Sequence, residues 1–211
     1  MEENSLYHCL SLKLSRYKKF MKTLVLGASG MLGHMVSYYF KKKNKNVIPC
    51  SRSKTNIKFI DEFLVKIPNY TKVEISNLIN NHRPCAIINC VGATDTKKDQ
   101  LFFESINAEL PKILQNIINS KNDGSQLIQI STNGVFSGSK GNYTESDIPD
   151  SIDAYSKSKL KGEVLEAPHL TIRTSIIGPE IKNKKGLLEW FLSQKNEYHS
   201  NILFFRFYTV L

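Results

Sequence analysis

A chain of 211 residues, 41% hydrophobic and 23% charged, has the size of one domain and the apolar content for a core, which excludes a disordered or fibrous protein. The formal net charge of +10 would suit an anionic partner. However, the basic residues are spread along the chain and no helix-turn-helix, zinc-finger or aromatic RNA-binding pattern accompanies them, which argues against nucleic acid as the partner. Four cysteines (Cys9, Cys50, Cys85, Cys90) form no Cys-x-x-Cys pair and read as buried free thiols in a reducing, cytoplasmic compartment. The histidines show no metal-ligand spacing, so no metal site is expected, and no apolar run is long enough to span a bilayer.

Residues 1–20, before Met21, lack the apolar core and small-residue cleavage site of a secretory signal and are expected to form a disordered extension. From Met21 short apolar runs alternate with helical patterns. TLVLGASG reads as a buried strand entering a glycine turn, and MLGHMVSYYFKKK as an amphipathic helix ending in lysines. NVIPC is predicted as the second strand and NIKFI as the third. VEISNLINNHRP is predicted as a helix stopped by Pro84, and CAIINCVGA as a buried strand. LFFESINAELPKILQNIINS follows as a long helix that Pro111 kinks or breaks. SQLIQIST, SIDAYSKSKLKGEVLEA, LTIRTS and GLLEWFLSQ then read as strand, helix, strand and helix. Alternating β and α elements with continuous apolar strands predict an α/β fold, a Rossmann-type doubly wound parallel sheet covered on both faces, over residues 21–194.

The first strand runs into Gly27-Ala28-Ser29-Gly30-Met31-Leu32-Gly33. Glycines at this spacing let the backbone approach a pyrophosphate, whose charge meets the free amides of the following helix N-terminus. Gly27, Ser29, Gly30, Met31 and Leu32 are therefore candidate cofactor-binding residues. After the second strand comes Cys50-Ser51-Arg52-Ser53, with no carboxylate to accept a ribose 2′-hydroxyl. Arg52 and the Ser51 hydroxyl suit a 2′-phosphate instead, which favours NADP over NAD as cofactor. Small residues at Gly92 and Ala93 leave room for the dinucleotide at the end of the fourth strand.

Tyr-x-x-x-Lys, which puts a phenol and an ammonium on one helical face, occurs at Tyr38/Lys42, Tyr39/Lys43 and Tyr155/Lys159. Tyr155 follows three strand ends that converge on one edge of the sheet, whereas Tyr38 and Tyr39 lie on the helix that leads away from the glycine turn. The third pair is thus the candidate for chemistry.

MKTLVLGASGMLG, INCVGA, INAELP, ISTNGVFSG, YSKSKLKGE and IRTSIIGPE occur in an order and spacing that resembles the extended short-chain dehydrogenase/reductases, nearest to the dTDP-4-dehydrorhamnose reductase-like branch. The resemblance covers about residues 21–194. It implies Thr132 as catalytic hydroxyl, Tyr155 as general acid and Lys159 as the cation that also holds the cofactor, with Ser131 as a neighbour able to substitute in part and Asn107 as a relay residue. It further implies a keto-sugar nucleotide substrate, hydride transfer from NAD(P)H, and a Tyr155 phenol brought toward neutrality by Lys159. Membrane and nucleic acid are not implied as partners, and a homo-oligomer is compatible with the family. The alternative is a non-catalytic dinucleotide-binding regulatory subunit, as in the relative that serves methionine adenosyltransferase. Family members continue past GLLEWFLSQ into a substrate lobe. This chain gives KNEYHSNILFFRFYTVL instead, so residues 195–211 read as an atypical apolar tail, the lobe as largely missing, and the activity as impaired by truncation.

Overall fold

The computed structural model describes residues 22–94, 99–181 and 186–193, together with the backbone of 208–209. The expected extension at 1–20, Cys9, and nearly all of the tail at 195–211 lie outside the described residues. Six strands form one parallel sheet: β1 (Thr23–Leu26), β2 (Val47–Ser51), β3 (Val65–Lys66), β4 (Ala86–Asn89), β5 (Gln126–Thr132) and β6 (Leu170–Thr174). Their spatial order is β3-β2-β1-β4-β5-β6. The chain reverses its direction of travel across the sheet between β1 and β4, and in such sheets a crevice opens at the carboxyl ends of those two strands. A separate parallel pair joins β7 (Ile176–Ile177) to β8 (Tyr208–Thr209).

The connecting helices are α1 (Met31–Lys42), α2 (Lys58–Asp61), α3 (Lys72–His82), α4 (Gln100–Phe103), α5 (Leu110–Lys121), α6 (Ala154–Lys161) and α7 (Leu187–Leu192). On one face of the sheet, Ile75, Leu78 and Ile79 of α3 and Leu110, Leu114 and Ile117 of α5 bury against Leu24, Leu26, Ile87 and Leu127. Each of these larger side chains removed from water contributes roughly 1.5–3 kcal/mol. Helix α3 starts at a capping box in which Thr71 Oγ1 accepts from the Glu74 amide and Glu74 accepts from the Thr71 amide. It ends on Arg83 in the left-handed region, just before Pro84. Among the described residues no helix is long and apolar enough to cross a membrane.

Four sequence expectations are corrected or refined. NIKFI is not a strand: it lies across α2, and the third strand is the shorter Val65–Lys66. The Asp61 carboxylate accepts from the Thr55 amide (2.7 Å), the Thr55 hydroxyl (2.8 Å) and the Asn56 amide (3.0 Å), which curls this segment into a turn that buries Ile60. The long helix around Pro111 is divided into α4, a π-helical turn at Glu104–Glu109, and α5, with Pro111 in the first turn of α5 directly after the π-helical turn. The helix expected over 151–167 is confined to α6, which starts at the Asp153 cap and ends at Gly162. The Cys50 thiol is buried as expected, but Cys85 is exposed and Cys90 half-buried; all three are free.

Gly162 explains why α6 ends where it does. A Cβ there would lie 1.9 Å from the Asn107 carbonyl oxygen, so only glycine lets the end of α6 rest on the π-helical turn. Gly162→Ala is expected to lower unfolding free energy by about 1–3 kcal/mol, read as a drop in the urea midpoint. An unchanged midpoint would contradict this close approach.

Candidate active site

At the end of β1 the backbone turns through Gly27 at φ +80°, and a Cβ there would meet the Cys90 carbonyl carbon and Val91 nitrogen at 2.9 Å. A Cβ on Gly33 would lie 2.1 Å from the Gly27 oxygen, so α1 packs directly on the turn. The Gly30 amide closes the turn on the Gly27 carbonyl at 2.9 Å, and Gly30 caps α1 without a side chain. The first amides of α1, at Met31 and Leu32 beside half-buried Ser29, thus face the crevice with no side-chain cap over them. This uncapped helix start behind a glycine cradle fits a dinucleotide pyrophosphate. Sequence reasoning missed Tyr70 here. The Tyr70 phenol is buried and accepts the Gly27 amide; burial pushes it up to about 12, against the opposing pull of Arg52 and of that amide.

The two residues expected to read the ribose are treated differently by the fold. Arg52 is exposed at the crevice rim. Ser51 is fully buried, with its hydroxyl donated to the Ser53 carbonyl and accepting the Ser53 amide, so it shapes the loop rather than presenting a free hydroxyl.

The carboxyl ends of β4 and β5 carry a buried polar ladder. Asn89 Oδ1 accepts the Val91 amide, its Nδ2 donates to Gln129 Oε1 (2.8 Å), and Gln129 Nε2 donates to the Ile130 carbonyl (3.0 Å). Lys159 Nζ donates to the same Ile130 oxygen at 2.6 Å and is 4% exposed. Fully buried Asn107 accepts the Ala93 amide (2.9 Å) and donates to the Ala93 carbonyl and the Ser158 hydroxyl (both 3.0 Å). It therefore ties the wall at Ala93 to the helix that carries Tyr155 and Lys159. Gly92 is exposed beside it, and a Cβ there would be 3.8 Å from Lys159 Nζ, so the wall is open where a nicotinamide ribose would lie.

Thr132, Tyr155 and Lys159 meet at this edge. Thr132 Oγ1 accepts the Gly134 amide (3.0 Å) and lies within hydrogen-bonding reach of the Tyr155 phenol. Burial raises the Tyr155 pKa above its ordinary value, Thr132 opposes this and Asp153 adds to it. The direction is the reverse of the lowering expected from Lys159: burial outweighs the rest, and the ammonium itself rests on the Ile130 carbonyl. Burial brings Lys159 itself down to about 8, with Cys90 and Glu163 opposing. Ser131 is 3% exposed and donates to Glu163 Oε1 at 2.6 Å, so its hydroxyl is committed away from the Tyr155 side. The rival pairs sit on the surface: Lys42 and Lys43 lie 5.9 and 5.8 Å from the Tyr38 and Tyr39 ring centres, and both rings are exposed. Among the described residues no cluster of histidine, cysteine and carboxylate side chains could hold a metal ion.

Since Thr132 opposes the burial that raises the Tyr155 phenol, Thr132→Ala is expected to move its titration further up. Carbon-13 NMR of the ring Cζ would follow this, and an unmoved midpoint would remove Thr132 from contact with the phenol.

The RmlD substrate binding domain model matches residues 21–200. Over 154 residues the chain is 32% identical to methionine adenosyltransferase 2 subunit beta of Xenopus laevis, a match that covers 67% of this chain and 41% of that protein. A crystal structure of a dTDP-4-dehydrorhamnose reductase from Clostridium acetobutylicum gives a TM-score of 0.61 at 30% identity, over 75% of this chain and 55% of that one. The dTDP-4-dehydrorhamnose reductase of Bacillus anthracis, in complex with NADP, gives 0.61 at 22% identity with the same coverage. The chain thus spans under half the length of the curated relative and just over half that of the solved chains. With the glycine cradle, the strand order and the Thr132, Tyr155 and Lys159 edge within the matched residues, the chain belongs to the family of the RmlD substrate binding domain.

Proposed function

We propose that this protein is a cytoplasmic NAD(P)H-dependent reductase of a keto-sugar nucleotide, with NADP preferred. The observation that carries this reading is the convergence of Thr132, Tyr155 and Lys159 on the carboxyl edge of the sheet beside an open glycine cradle. Met31 and Leu32 amides would hold the pyrophosphate, Arg52 the 2′-phosphate, and Lys159 the nicotinamide ribose across the gap left by Gly92. A dinucleotide held there would supply the hydride for reduction of the ketone carbon. Thr132 orients the carbonyl oxygen by hydrogen bonding, and Tyr155 gives its phenolic proton to that oxygen as negative charge develops there. The raised phenol pKa keeps Tyr155 protonated at neutral pH, which suits a donor. Buried Lys159, at about 8, would hold the cofactor ribose from its seat on the Ile130 carbonyl and turn toward the phenolate only as negative charge develops there.

The similarity to methionine adenosyltransferase 2 subunit beta favours a second reading, a dinucleotide-binding regulatory subunit that acts through a partner enzyme. The two readings separate on turnover.

Purified protein with NADPH and dTDP-4-keto-6-deoxyhexose is expected to consume NADPH. Tyr155→Phe should lower kcat by about 10²–10⁴-fold while leaving NADPH affinity close to wild type. NADPH binding without consumption, in wild type and variant alike, would decide for the regulatory reading. Arg52→Ala is expected to weaken NADPH binding by roughly tenfold or more and NADH binding little, by calorimetric titration; equal loss for both would refute the 2′-phosphate assignment.

A further inference from the structure

Glu163 lies two residues beyond the end of α6, and neither composition nor motif spacing assigned it a part. Its carboxylate is 3% exposed and is held from two strands at once. Oε1 accepts the Ser131 hydroxyl at 2.6 Å and Arg173 Nε at 2.9 Å, and Oε2 accepts Arg173 Nη2 at 2.7 Å. Ser131 on β5 and Arg173 on β6 stand opposite each other in the sheet register, so the carboxylate bridges a pair that the backbone has already aligned. Arg173 is fixed in turn by the Phe136 ring, 5.2 Å from its guanidinium carbon, and Phe136 stacks on Tyr143 at 4.5 Å.

The neighbouring contacts give this bridge its meaning. Three consecutive β5 residues are each taken by one side chain from the Tyr155–Glu163 segment. The Ile130 carbonyl takes Lys159, the Ser131 hydroxyl takes Glu163, and Thr132 lies within reach of the Tyr155 phenol. The last of these is the reactive contact, and the first two fix where α6 stands against β5 so that it can form. We propose that Glu163, clamped by Ser131 and Arg173, is the positioning residue that holds this register and supplies the anion which keeps the Lys159 ammonium charged at the sheet edge. The proposal rests on the reductase reading and adds to it a residue that acts through Lys159.

The groups around Lys159 leave Glu163 as that anion. Cys90 is the other titratable group that acts on it, and burial pushes that thiol up to about 12, so it is neutral near pH 7. Arg173 is the nearby cation, and its charge is met by the Glu163 carboxylate. Removing Glu163's charge therefore disfavours the ammonium, whereas removing Arg173 leaves the carboxylate to Lys159 and favours it.

The test follows the Lys159 side-chain Cε by carbon-13 NMR in the full chain without cofactor. Wild type is expected to titrate at about 8. Glu163→Gln should move the midpoint down by about one pH unit, and Arg173→Gln should move it up. Opposite shifts cannot come from general loosening, and should Glu163→Gln fail to fold, the upward shift in Arg173→Gln still decides. Midpoints that stay at the wild-type value, or move together, overturn the proposal. NADPH affinity, measured across the same pH range, should fall along each protein's own Lys159 titration. Shifts in the NMR midpoints with no NADPH binding at all would overturn the reductase reading while Glu163 keeps its hold on Lys159.

Discussion

The active edge depends on one contact, the 2.6 Å hydrogen bond from the buried Lys159 ammonium to the Ile130 carbonyl. A lysine taken out of water at 4% exposure is an expensive guest, and burial brings its pKa to about 8. It can remain there only because polar atoms meet it, and the ladder of Asn89, Gln129 and the Ile130 carbonyl carries those atoms across from β4. That bond also fixes the azimuth of α6. Tyr155, one turn earlier, is thereby aimed at Thr132 rather than at solvent, and its ring meets Phe103 edge-on at 6.3 Å.

Close backbone approach does the corresponding work on the cofactor side. Gly27 and Gly33 let β1, α1 and the Cys90–Val91 peptide come nearer than any side chain would permit. The crevice between β1 and β4 is therefore lined by amides instead of Cβ atoms, and it opens where the strand order reverses. Gly162 plays the same part at the other end, letting the carbonyl of Asn107 support the last turn of α6. A single residue type thus sets two distances on which the reading depends, from the pyrophosphate cradle to the phenol.

Local patterns made the fold legible. Apolar runs such as TLVL and AIIN can only be strands buried on both faces, and Gly27, Gly30 and Gly33 between strand and helix announced the cradle. Tyr155 and Lys159 could be singled out by their local spacing and Thr132 by the family resemblance, and the sheet topology explains why they share an edge. What sequence left hidden was long-range or competitive. NIKFI has the apolar content of a strand, but Asp61 offers its backbone a better set of partners through Thr55 and Asn56. Glu163 and Arg173 fall inside quoted motifs but received no role, since nothing local says that Ser131 and Arg173 meet one carboxylate. The lowered phenol pKa expected at Tyr155 is likewise overridden, by burial that only the fold creates. Four-residue spacing puts an ammonium on the correct helical face, but the Ile130 carbonyl, far away in sequence, decides where it points.

Buried charge also bears on why such an edge exists. A well-made buried ion pair seldom stabilises a fold more than apolar side chains of similar volume would, because the desolvation of both partners offsets most of their attraction. Glu163 with Arg173, and Lys159 on its carbonyl, are thus poor candidates for stability alone. They do specify one arrangement of α6 against β5 and β6, since any slip would strand a charge without its partner. The polar atoms behind the edge satisfy one another: Asn89 with Gln129, Asn107 with Ala93 and Ser158, Glu163 with Ser131 and Arg173. In front of them stand the half-buried Tyr155 and Thr132 beside exposed Gly92. A rigid, internally satisfied support behind two half-buried hydroxyls suits the proton transfer proposed for this edge.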